Sequence, residues 1–217
     1  MTDSGLASHR PSASVVPRPS LTAGRPTASL PRDMSGALER SALLDAPAIA
    51  RAIERISSEI VALAGGTERL VLVGIQRRGV ELADRIGALI RTVHGAEVGH
   101  GALDITLYRD DLNEIGPRPV IGETRLPRSL DGRIVVIVDD VLFTGRTIRA
   151  ALDQIADFGR PARIGLAVLI DRGGRELPIQ ADIVGHRVDA DPHDRVDVLI
   201  EELDGRDAVE LVRRSPT

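Results

Sequence analysis

Cysteine, tryptophan and lysine are all missing from this chain of 217 residues, and two phenylalanines and one tyrosine are its only aromatics. The lack of cysteine excludes disulfide staples, thiolate metal sites and cysteine nucleophiles. With so few rings the core must be packed from Val, Ile, Leu and Ala, which favours buried parallel strands covered by helices. All 28 cationic side chains are arginine, set against 32 Asp and Glu for a formal net charge of -4. That acidity argues against indiscriminate nucleic-acid binding but leaves room for a local basic face. No apolar run approaches the roughly 20 residues that a bilayer-spanning helix needs. Residues 1–33 also lack the apolar centre of a signal peptide, so a cytoplasmic protein is expected.

What is present falls into an order. Residues 1–35 are rich in Pro, Ser, Ala and Arg without a sustained apolar period, and are expected to form a disordered extension. Asp45 is a plausible helix N-cap with Pro47 in the first turn. Ile49, Ile53, Ile56, Ile60 and Leu63 then keep one helical face apolar until Gly65-Gly66. Leu70–Val73 reads as a buried strand, followed by a loop at Gln76–Gly79 and a helix from Gly79 to Val93. Further strands are expected at Leu103–Tyr108, Ile134–Val138 and Ile164–Ile170, with a helix from Thr147 to Phe158. Strand and helix alternate, so the fold class is α/β with a mostly parallel central sheet flanked by helices. The polar, Pro- and Gly-punctuated stretch of about 108–132 reads as a flexible hairpin or hood. The folded domain is placed at 36–212, with 213–217 as a tail.

Three polar clusters follow expected strands: Gln76–Gly79, Asp139–Thr147 and Asp171–Arg175. Ligands of open α/β sheets bind at such strand ends. The middle cluster carries the most chemistry. Adjacent carboxylates after a buried strand are costly unless something satisfies them, and two vicinal ribose hydroxyls could do so by donating to Asp139 and Asp140. Gly145 permits close backbone approach, Thr144 and Thr147 offer hydroxyls, and the helix start offers free N–H groups, which together suit a phosphate. Gly173-Gly174 reads as a tight turn that places Arg172 and Arg175, and Asp189–Asp197 as a solvated turn around Pro192. The histidines form no compact ligand pattern.

Asp139-Asp140 followed by Thr144-Gly145-Arg146-Thr147 resembles the phosphoribosyl diphosphate signature of type I phosphoribosyltransferases. With Asp104–Leu112 and Asp171–Pro178, the chain resembles the bifunctional pyrimidine operon regulators with uracil phosphoribosyltransferase activity, over roughly Asp45 to Val212. The resemblance implies the type I phosphoribosyltransferase fold with a flexible hood. It implies an enzyme that makes UMP and diphosphate from uracil and phosphoribosyl diphosphate, and that doubles as a UMP- or UTP-sensing regulator binding the leader mRNA of pyrimidine genes. It implies substrate contacts at Arg77, Arg78 and Gly79 for the diphosphate, and at Asp139 and Asp140 for the ribose. Val141, Leu142, Phe143, Thr144, Gly145, Arg146 and Thr147 fall in the ribose-phosphate cradle, and Arg172 and Val196 match positions at the nucleobase or nucleotide. Magnesium would bridge diphosphate and ribose oxygens beside Asp139 and Asp140, and the protein would be a homodimer or higher homo-oligomer. Arg109, at the start of the hood, is the candidate for stabilising the departing diphosphate. Two alternatives stay open: a regulator with little catalytic activity, and a purine phosphoribosyltransferase. The family commonly has Thr-Arg-Gly where this chain has Arg77-Arg78-Gly79. Phe143 stands where the 6-oxopurine enzymes usually carry Asp.

Overall fold

The structure, a computed structural model, describes residues 38–105 and 124–214. In chain order the elements are β1 (Leu38–Asp45), α1 (Ala46–Ala64), β2 (Leu70–Ile75), α2 (Arg78–His94), β3 (Gly99–Leu103), β4 (Ile134–Leu142), α3 (Arg146–Ala156), β5 (Arg163–Asp171), β6 (Ile183–Arg187), β7 (Arg195–Leu199), α4 (Glu201–Asp204) and β8 (Ala208–Arg214). Asp45 caps α1, its carboxylate accepting the Ala48 N–H at 2.9 Å, and Gly65 ends the helix in the left-handed region at φ 66°.

Five strands form one parallel sheet in the order β3-β2-β4-β5-β6. Alternate residues of its central strands enter two separate cores, as the two-residue period of a strand requires. Leu70, Leu72, Val136 and Val138 join Ile49, Ile53, Ile56, Leu82 and Ile86 from α1 and α2 on one face. Val71, Val73, Val135 and Ile137 join Ile148, Ala151 and Ile155 from α3 on the other. From β2 the chain crosses by α2 to β3 on one side. From β4 it crosses by α3 to β5 on the other. The strand order therefore reverses between β2 and β4, and the carboxyl ends of these two strands frame a crevice.

The sequence missed a second sheet. β1, β8 and β7 pair antiparallel in that order, and Val196, Val198, Val209 and Leu211 pack from it into the α1/α2 core. The expected solvated turn at Asp189–Asp197 is thus a turn only in its first part, because Arg195–Leu199 is strand β7. β1 at Leu38–Asp45, an element that the sequence did not show, precedes the expected helix. The third parallel strand is Gly99–Leu103 rather than Leu103–Tyr108. Its small residues suit close packing on β2, since a Cβ at Gly99 would sit 3.0 Å from Val71 Cγ2. The tail expected at 213–217 begins inside β8, which runs to Arg214; the tail's last three residues, the extension at 1–35 and the first part of the expected hood, 108–123, lie outside the described residues.

Candidate active site at the sheet switch point

Two glycines bring the β2 loop against β4. A side chain at Gly74 would meet the Gly79 carbonyl oxygen at 2.5 Å, and one at Gly79 would overlap the Val138 carbonyl and reach Asp139 Cα at 3.3 Å. The loop between them therefore presses backbone to backbone on the first carboxylate residue. The Gln76–Arg77 peptide is cis, and the Gln76 N–H donates to the Leu103 carbonyl at 2.9 Å. Arg77 is exposed, Arg78 is half-buried at the start of α2 and Gly79 is buried.

Asp139 and Asp140 lie where β4 passes from the core into the crevice. Asp139 is only 5% exposed. Its carboxylate accepts the Asp140 N–H at 3.0 Å, and that of Asp140 accepts the Val141 N–H at 3.0 Å. Burial pushes the Asp139 carboxyl well above the usual carboxylate range, and the neighbouring Asp140 charge adds to the shift. Burial raises Asp140 as well, against the opposing pull of its hydrogen bond to Asp139 and of the Arg78 charge. Such a pair is poised for partners that donate hydrogen bonds or carry positive charge.

Immediately beyond, α3 starts after Gly145 (φ 93°), which offers no side-chain cap, so the next N–H groups of the first turn, those of Thr147 and Ile148, face an anion site. Thr144 shapes this turn: its hydroxyl accepts the Arg146 N–H at 3.3 Å, and its carbonyl accepts the Glu176 and Leu177 N–H groups. Arg146 pairs with Glu176 at the rim, at 2.7 Å, and Thr147 is half-buried in the first turn. Leu142 points into the α3 core, while Val141 packs toward the α1/α2 core, so both shape the loop rather than face the crevice.

The third cluster buttresses the cradle. The Arg172 guanidinium lies 4.0 Å from the centre of the Phe143 ring, and Gly174, at φ 70°, lies so close to that ring that any Cβ would overlap it. Arg172 is 6% exposed and donates to the carbonyls of Asp194 (2.8 Å) and Asp191 (2.9 Å). Its Nε is buried without a partner among the described residues. Arg175 donates to the carbonyls of Phe143 (2.9 Å) and Ile179 (3.0 Å) and to the Asp171 carboxylate at 2.6 Å. Burial would raise Asp171, but the Arg175 hydrogen bond, the Gly173 N–H and the charges of Arg175 and Arg187 outweigh it and hold the carboxyl below its usual range.

Thus Arg77, Arg78, Gly79, Asp139–Thr147 and Arg172 gather at one end of the parallel sheet. Val196 stands apart on the edge strand β7 with its side chain in the core, tied to the rest through the Asp191–Asp194 turn that Arg172 holds. Arg109, with Tyr108, Asp110 and Asp111, lies outside the described residues. The glycine turn marked Arg175 in the sequence, but its hold on Phe143, Ile179 and Asp171 was not legible there. Nor did the sequence single out Asp204, which grips Arg78 at 2.9 Å from 126 residues away.

The class of protein is a phosphoribosyltransferase: the phosphoribosyl transferase domain family matches residues 39–195 of the chain. The hypoxanthine phosphoribosyltransferase of Trypanosoma cruzi shares the fold with a TM-score of 0.60 at 19% identity, over 80% of this chain and 97% of that one. A hypoxanthine phosphoribosyltransferase from Staphylococcus aureus aligns at 0.58 and 18% identity, over 83% and 96% of the two chains. Within that class the chain belongs to the bifunctional PyrR proteins. It is 57% identical over 175 residues to bifunctional protein PyrR of Thermus thermophilus, covering 81% of this chain and 97% of the relative. It is 52% identical over 176 residues to that of Pelotomaculum thermopropionicum, covering 81% and 97%. Among the described residues no helix is long and apolar enough to cross a membrane.

Proposed function

We propose that the chain is a uracil phosphoribosyltransferase, forming UMP and diphosphate from uracil and phosphoribosyl diphosphate. The observation that carries this reading is the start of α3, with no side chain at its Gly145 cap position, a few residues after a carboxylate pair whose first member, Asp139, is buried. The α3 N-terminus, with Thr144 and Thr147, takes the 5-phosphate. Asp139 and Asp140 accept the ribose hydroxyls, which fixes the anomeric carbon in the crevice. The Arg77–Gly79 loop receives the diphosphate. Uracil N1 then bonds to the anomeric carbon as the bond to diphosphate breaks and the N1 proton is released. Positive charge developing on the ribose and negative charge on the leaving group make electrostatic positioning the main source of rate. Arg109 is the proposed partner of the departing diphosphate. The donor set, two adjacent carboxylates beside substrate oxygens, suits a hard divalent cation. Magnesium bound there would neutralise diphosphate charge, held through substrate oxygens and by Asp139 or Asp140.

Phe143, packed against Arg172 and Gly174, supplies no carboxylate for a purine ring, which favours a pyrimidine. Diphosphate release from phosphoribosyl diphosphate is to be measured with uracil, hypoxanthine and orotate offered separately. Uracil alone should support it; release with hypoxanthine in preference, or with no base, would overturn the reading.

The chain also serves, in this reading, as a cytoplasmic, homo-oligomeric sensor in which UMP or UTP bound in the same cradle controls attachment to leader mRNA of pyrimidine genes, attenuating their transcription or translation. The relatives' designation as bifunctional supports this second role.

A further inference from the structure

We infer that Asp204, from the short helix α4 of the second sheet, is a positioning residue that holds Arg78 ready for the diphosphate, an inference that rests on the phosphoribosyltransferase reading. Arg78 is the first residue of α2 and directly precedes Gly79, whose backbone packs on Val138 and Asp139. Its guanidinium is gripped along one edge: Nε donates to Asp204 Oδ2 at 3.2 Å, and Nη2 donates to Oδ1 at 2.9 Å and to Oδ2 at 3.1 Å. Nη1 makes no hydrogen bond among the described residues, so the opposite edge of the fork stays open to an anion.

The grip is itself held in place. Asp204 Oδ2 accepts the Ile200 N–H at 2.9 Å, and Asp207 Oδ1 accepts the Glu201 N–H at 2.8 Å. Further along α2, Arg85 locks the same segment by donating to Asp207 at 2.7 Å and to Glu202 at 2.6 Å. The 200–207 turn is therefore bolted to α2 at two points, of which only the Arg78–Asp204 point reaches the crevice. An arginine with a free stem would lose rotamer freedom on meeting a ligand. One already fixed by a second carboxylate has lost that freedom beforehand and binds more tightly for it.

The test is binding of phosphoribosyl diphosphate and, separately, of UMP to the full chain in magnesium, for wild type, Asp204→Asn, Arg78→Ala and the double variant. UMP has no diphosphate and reports that the cradle is intact. Asp204→Asn keeps an oxygen for Ile200 but loses the charged grip. It should weaken phosphoribosyl diphosphate binding roughly three- to tenfold, leave UMP affinity unchanged, and add nothing once Arg78 is Ala. Asp204→Glu should recover most of the loss, and supplies the comparison should the Asn variant fold poorly. Equal losses for both ligands, the same loss in the Arg78→Ala background, or no loss at all would overturn the inference. Failure of the wild type to bind phosphoribosyl diphosphate would instead overturn the functional reading on which it stands.

Discussion

Asp139 shows most clearly what burying a single carboxylate costs, a cost that the proposed ribose contact would offset. Burial and the Asp140 charge hold its carboxyl above the ordinary value of 3.8, so ionising it costs more in the folded than in the unfolded chain. Below that value the group is protonated in both states and the penalty vanishes. As pH rises the unfolded state ionises first, and the penalty grows until the folded-state group ionises too. Asp139→Asn should therefore stabilise the ligand-free protein by roughly 1–3 kcal/mol at neutral pH, with the gain fading as the pH falls toward 3.8. Urea unfolding across that pH range tests this, and an unchanged midpoint at pH 7 would contradict it. The same variant should lose phosphoribosyl diphosphate binding, because an amide that keeps its oxygen on the Asp140 N–H turns an NH2 donor, not an acceptor, toward the ribose hydroxyl. Arg172 illustrates a different use of a buried group. Its two donations to the Asp191–Asp194 turn and its stack on Phe143 join the loop between β4 and α3 to the approach to β7, so it shapes that loop from behind.

At the scale of elements, the decisive contact is α2 against β4 at Gly79. A methyl group there would collide with the Val138 carbonyl, and backbone cannot rotate away as a side chain can. Gly79→Ala should cost about 1–3 kcal/mol as overpacking and, by pushing the Arg77–Gly79 loop outward, reduce turnover more than the stability loss alone explains. Steady-state kinetics at a temperature where the variant remains fully folded separates the two effects; wild-type kcat and KM there would refute the argument. The sequence showed this loop and the α3 cradle because both follow strands buried on two faces, Leu70–Ile75 and Ile134–Val138, which read as unbroken apolar runs. It did not show β3, whose Gly-His-Gly-Ala-Leu has the composition of a turn. Nor did it show β1, β7 and β8, whose apolar residues come in runs of one or two broken by charged or small ones over only five to eight positions. Such strands are specified by their partners: β8 exists between β1 and β7, and Arg40 reaches from β1 to Asp197 and Glu210 across the sheet. The Arg78–Asp204 pair was illegible for the same reason, because it depends on where the second sheet docks.

For the whole molecule, net charge and linkage constrain the proposed regulatory role. A chain with a formal charge of -4 gains little from long-range attraction to a polyanion, so attachment to RNA must come from a local, specific surface and remain salt-sensitive there. If UMP in the cradle favours the RNA-competent state, differential affinity is required, and the effect has to run both ways. Leader RNA should bind more tightly with saturating UMP, and UMP should bind more tightly by the same factor with saturating RNA, a coupling of about 5- to 150-fold in ordinary allosteric systems. Filter binding for the first affinity and calorimetry for the second provide independent measurements of one quantity. RNA binding that UMP leaves unchanged would reduce the protein to a catalyst with an unrelated RNA surface. Unequal factors would show only that one titration had not reached equilibrium, because the cycle of RNA and nucleotide binding closes whatever states the two ligands select.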